Sequence, residues 1–161
     1  MAWNPWRTLK TRTDTLLGVV DLPERLGGAV AIPHPGGDVV LLDRSLTQRQ
    51  RSRALAHELV HLERGGGADA PGMPEQWKPV VARDEQQTDD EAITRLVPLG
   101  DLARWARRRL TAGDTVEPHQ VAEEWHVTDD VALRALELTL SHPTLRAMVT
   151  AATPERTPDP G

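Results

Sequence analysis

The pentapeptide His57-Glu58-Leu59-Val60-His61 constrains this chain more than any other feature, because its pattern works only on a helix. Residues four apart lie on one helical face, so His57 and His61 can turn both imidazoles toward one metal ion. Glu58 then stands beside the pair, where a carboxylate reaches a water rather than the ion. The expected chemistry is that of a zinc-dependent peptidase, with His57 and His61 as ligands and Glu58 as general base. Ser45 and Gln48 read as a capping box, S-x-x-Q, opening a helix that runs to about Arg64 and stops at Gly65-Gly66-Gly67. Leu55, Leu59 and Leu62 supply its apolar stripe, on the side away from the metal.

Upstream, Ala29–Ile32 and Val39–Leu42 are short apolar runs joined by Pro33-His34-Pro35-Gly36-Gly37-Asp38, a hairpin signal. The strand through Val39, Val40 and Leu41 directly precedes the metal helix, so it is the expected place for an extended substrate to add as a strand. The stretch to about Leu26 reads as a loose segment followed by a short helix or strand. Downstream, residues 65–79 read as a Gly/Pro-rich loop over the site, with Trp77 anchoring it. Helices are then expected at about Val80–Val97, Leu99–Leu110, Glu117–Trp125 and Asp129–Leu140.

Two histidines do not complete a catalytic zinc site; a third protein ligand is required, leaving the fourth position for water. The helix after HELVH offers Asp84, Glu85, Asp89, Asp90 and Glu91. Glu85 and Asp89 are four apart, a spacing that gives one carboxylate to the metal and another to the free N–H of a ligand histidine.

These two elements resemble the ImmA/IrrE family of metallopeptidases. The first, R-x-x-A-H-E-x-x-H, is here Arg53 to His61. The second, E-x-x-A-[ND]-x-x-A-x-x-L-L-x-P, is here Glu85 to Pro98, and the resemblance covers about residues 45–100. It implies Glu85 as third zinc ligand and Asp89 as the residue behind it, with Glu91 the rival ligand if the register differs. Thr88, Glu91 and Arg95 depart from the family's Ala, aromatic and Leu. Thr88, Asp90 and Arg95 are read as exposed positions. The resemblance also implies a protein substrate, a helix-turn-helix repressor.

The implied fold is α+β: a small zincin-like domain with a short N-terminal sheet, the HExxH helix, a glutamate-ligand helix and a helical C-terminal cap. The expected limits are 1–110 for the core, 111–149 for the cap and 150–161 for a disordered tail. The 161-residue chain has no cysteine, which excludes disulfides and thiolate zinc sites. No apolar run approaches membrane-spanning length and MAWNPWRTLK lacks a signal-peptide core, so a cytoplasmic setting is expected. The net charge of −5 disfavours nucleic acid as a partner. Residues 121–136, VAEEWHVTDDVALRAL, have a helix-turn-helix pattern, but Thr128-Asp129-Asp130 would repel phosphate where such a motif meets DNA. The alternative function is a non-catalytic metal-binding regulator that holds a repressor, or DNA, through these C-terminal helices. With no Tyr in the chain, an oxyanion donor must be sought in His119, His126 or an Arg. His34 and His142 read as surface residues.

Overall fold

The computed structural model describes residues 3–65 and 74–151. The α+β class holds: seven helices and one three-stranded mixed sheet occur among the described residues. Contacts divide the chain into two compact units, Met1–Leu96 and Val97–Gly161. The division falls earlier than the expected limit at 110, so the helix after Pro98 goes with the C-terminal helices and not with the core.

The first unit begins with a helix where a loose segment is expected: α1, Pro5–Thr11. Asn4 caps it by accepting from the backbone N–H groups of Trp6 and Arg7, and Pro5 fits the first turn, where no N–H is needed. The strands are β1 (Thr15–Val20), β2 (Ala29–Ile32) and β3 (Asp38–Asp43), in the order β1-β3-β2. β2 and β3 form the expected antiparallel hairpin, whereas β1 runs parallel to β3 on its other side.

This order corrects the substrate-strand expectation. Val39, Val40 and Leu41 lie on the central strand, whose two edges are already paired, and Val40 is fully buried. No further strand can add there, because both rows of backbone donors and acceptors are in use. Among the described residues, the free edges belong to β1 and β2.

Helix α2, Gln48–Glu63, carries HELVH and packs its Leu55 and Leu59 against Val40 and Leu42 of the sheet. Trp3, Trp6 and Leu9 close the same cluster, and Trp6 Nε1 donates to Ser52 Oγ on α2 at 2.9 Å. The cap differs from the expected Ser45/Gln48 pair. Thr47 accepts from Gln50 N–H while the Gln50 side chain accepts from Thr47 N–H, the same motif two residues on. Ser45 instead donates its N–H and hydroxyl to Asp43. Those donors, with the N–H of Leu22, hold the Asp43 carboxyl below the ordinary aspartate range. A short turn, Glu75–Trp77, leads into α3, Lys78–Leu96, so the helix starts inside the segment expected to be loop.

The second unit contains α4 (Leu99–Thr111), α5 (Pro118–Trp125), α6 (Asp129–Ser141) and α7 (Pro143–Thr150). The last was not anticipated; Pro143 opens it at a position that tolerates proline. Trp105 and Trp125 meet edge to face at 5.5 Å in its core. The tail expected to be disordered lies, from residue 152 on, outside the described residues.

Candidate metal centre

α2 and α3 lie side by side, and the site is built across their interface. One turn of α2 separates His57 from His61, and the two rings converge so that their Nε2 atoms are 2.9 Å apart. Glu85 of α3 closes the triangle. Its Oε2 is 3.3 Å from His57 Nε2, and its Oε1 is 3.3 Å from His61 Nε2. A tetrahedral ion bound at 2.0–2.1 Å separates its ligand atoms by about 3.3 Å, so these spacings suit such an ion. The donor set, two imidazoles and a carboxylate, is one that a divalent transition metal accepts. His61 is buried and Glu85 about a third exposed, so the site opens to one side.

Asp89, one turn after Glu85, places Oδ1 3.4 Å from Nδ1 of His57. A proton held on Nδ1 by this carboxylate leaves Nε2 with its lone pair toward the site. The spacing of Glu85 and Asp89 thus puts one carboxylate at the histidine pair and the other behind His57.

Glu91 does not compete for the site. Its carboxylate lies 2.5 Å from Arg95, which also grips Glu63 of α2 at 2.6 Å. Trp3 stacks on the same guanidinium, 5.7 Å away. A second arginine, Arg64 at the end of α2, binds Asp84 at 2.6 Å and donates to Thr88 Oγ1 at 3.3 Å. Thr88 is therefore not an exposed position but a fully buried one whose hydroxyl has a donor. The three polar departures on α3 thus belong to two arginine clamps that fix α3 against α2 and aim Glu85.

Glu58 faces the cleft beside the ligands. Burial raises its pKa above the ordinary glutamate range, against the pull of His57, His61 and the N–H of Ala31. Ala31 belongs to β2. Because Asp43 N–H donates to the carbonyl of Gly28, residues 28, 30 and 32 face β3, and Ala29 and Ala31 turn their backbone groups outward. A cleft of about 690 Å³ runs along this edge, lined by Arg25, Ala31, Arg53, Glu58, His61 and Glu85 among others. The sequence reading missed Ala29, Ala31 and Arg25 as site residues. Arg53 alone carried a signal, standing four residues before His57. His34 is exposed in the β2–β3 turn, accepting from Gly36 N–H, and His119, His126 and His142 belong to the second unit.

No protein-family model, curated protein or solved structure matches this chain. The candidate metal centre therefore rests on its own geometry.

That geometry carries a pH dependence. Burial opposes protonation of His57, but Asp89, Glu58 and Glu85 outweigh it and raise the pKa above the ordinary imidazole value. In the metal-free protein the protonated ring then stabilises the fold below the unfolded-state pKa, and that contribution is lost as pH rises through the raised one. The same proton competes with the metal. The apparent affinity for a divalent metal, titrated against pH, is expected to start weakening at a pH above that of an ordinary histidine; an affinity that holds steady down to the ordinary value would contradict this electrostatic picture.

Proposed function

We propose that this chain is a zinc-dependent metallo-endopeptidase with a zincin-like core, hydrolysing a peptide bond in a regulatory protein. The observation that carries the reading is the convergence of His57, His61 and Glu85, with Asp89 behind His57 and Glu58 on the open side. The resemblance to the ImmA/IrrE family suggests a helix-turn-helix repressor as substrate and a cytoplasmic setting. Among the described residues no helix is long and apolar enough to cross a membrane.

Zinc, held by His57, His61 and Glu85, would polarise the scissile carbonyl and acidify a water. Glu58 is the general base: it takes the proton of the attacking water and returns it to the departing amine. Its raised pKa makes it a stronger proton acceptor than an ordinary glutamate. Asp89 holds His57 in one tautomer. The outward C=O groups of Ala29 and Ala31 and the outward N–H of Ala29 provide a strand edge on which an extended peptide pairs, in the role first assigned to Val39, Val40 and Leu41, while the N–H of Ala31 is held by Glu58.

Peptides derived from a bacterial proteome, incubated with the zinc-loaded chain and followed by mass spectrometry, test the proposal. New termini are expected, to disappear after chelation and return when zinc is restored. Termini that persist through chelation, or none with zinc bound, would refute it.

A further inference from the structure

The two faces of β2 differ in kind. Strand residues alternate between faces, and paired residues share one. Val40 and Leu42 of β3 bury against α2, so their partners on β2, Ala31 and Ala29, stand on the α2 face. Val30 and Ile32, paired with Leu41 and Val39, therefore stand on the opposite face, with Leu16 and Gly18 of β1. A Cβ built on Gly18 would come within 2.7 Å of Leu41 Cδ2, so Leu41 leans toward β1 and away from β2. Ile32 is left 47% exposed and Val30 half-buried.

Val30, Ile32 and the adjoining Pro33 line the same cleft as His57, Glu58 and His61. Imidazoles and carboxylates thus occupy the α2 side of the β2 edge, and aliphatic carbon the other. A peptide paired with that edge continues the alternation. Its residue opposite Ala31 lies nearest Glu58, which accepts from the N–H of Ala31. The residues opposite Val30 and Ile32 come on either side of it. Their side chains emerge on the aliphatic face, about 5 Å from those of Val30 and Ile32. Apolar side chains there remove hydrocarbon from water on both partners, whereas a charged one would face hydrocarbon.

We infer that Val30 and Ile32 form an apolar side-chain subsite, so that the substrate is an extended segment with two aliphatic residues, one on each side of the residue opposite Ala31. The inference rests on the peptidase reading and specifies its substrate.

The test uses the zinc-loaded full chain and peptides prepared from a bacterial proteome, with the sequences around every new terminus aligned. In the wild type, two positions separated by one residue are expected to be enriched about two- to fivefold in Val, Ile or Leu over the uncut peptides. Ile32→Asp should turn the preference at one of them toward Lys and Arg. Ile32→Lys should turn the same one toward Asp and Glu, because opposite charges directly across a strand pair attract and like charges repel. Both variants should keep the wild-type zinc content, since Ile32 is outside the ligand triangle and about half exposed. Wild-type sites without this alternation, or one preference shared by wild type and both variants, would overturn the subsite while leaving the peptidase reading intact. If the zinc-loaded wild type cuts no peptide, the peptidase reading falls, and this inference with it.

Discussion

Glu58→Gln is expected to retain bound zinc and to lose peptide hydrolysis by about 10³-fold or more, the scale on which a positioned general base contributes. The amide keeps the shape and can still meet the N–H of Ala31 through its oxygen, so the cleft should survive. What it cannot do is accept a proton from water. The comparison also separates the two function classes. A regulator that works by holding a repressor would tolerate the substitution, because Glu58 is no ligand and its carboxylate lies off the His57–His61–Glu85 triangle. Hydrolysis by Glu58→Gln at the wild-type rate, with zinc in place, would end the proposed mechanism.

The second large effect is on the metal itself. Glu85→Ala removes one corner of a three-sided ligand set and should weaken zinc binding by more than the 10–100-fold typical of losing a residue behind a ligand. Asp89→Ala belongs in that smaller range, since Asp89 meets the ligand triangle through Nδ1 of His57 and is not one of its corners. Glu91→Ala should keep its zinc. It loses the ion pair with Arg95, but Arg95 retains Glu63, and partly exposed pairs of this kind contribute on the order of 1 kcal/mol or less. The contrast between two glutamates six positions apart on one helix is a sharp one: only one of them faces α2 at the histidines.

The parts of this molecule that could be read from sequence are those whose signal is local. HELVH, the 3.6-residue leucine repeat and the Gly65 stop define α2, and the carboxylates four apart on α3 point to Glu85 and Asp89. The β2–β3 hairpin is likewise announced by its turn. The sheet order is not local, since nothing in Val39–Leu41 states that β1 will arrive on its far side, and the strand taken for a substrate platform proved to be the middle one. α1 was legible in principle, with Asn4-Pro5 as cap and first turn and Trp3, Trp6 and Leu9 three apart. The competing choice was to discount a short polar segment near a terminus. Thr88 and Arg95 looked out of place on α3 because their partners, Arg64 and Glu63, belong to α2 and its end, and Glu91 joins them through Arg95.

The cap of α2 teaches a related point. Ser45 and Gln48 match the capping pattern as well as Thr47 and Gln50 do. Asp43 decides between them by taking Ser45 for the turn that ends β3. Pattern alone sees both pairs, and the side-chain acceptor two residues upstream selects one.

The most direct test of the central claim is the zinc content of the purified wild-type chain, supplied with zinc and then dialysed against metal-free buffer. The account predicts about one zinc per chain, lost in Glu85→Ala and kept in Glu91→Ala. A wild-type chain that holds no zinc after this treatment would contradict it, because His57, His61 and Glu85 would then converge on nothing.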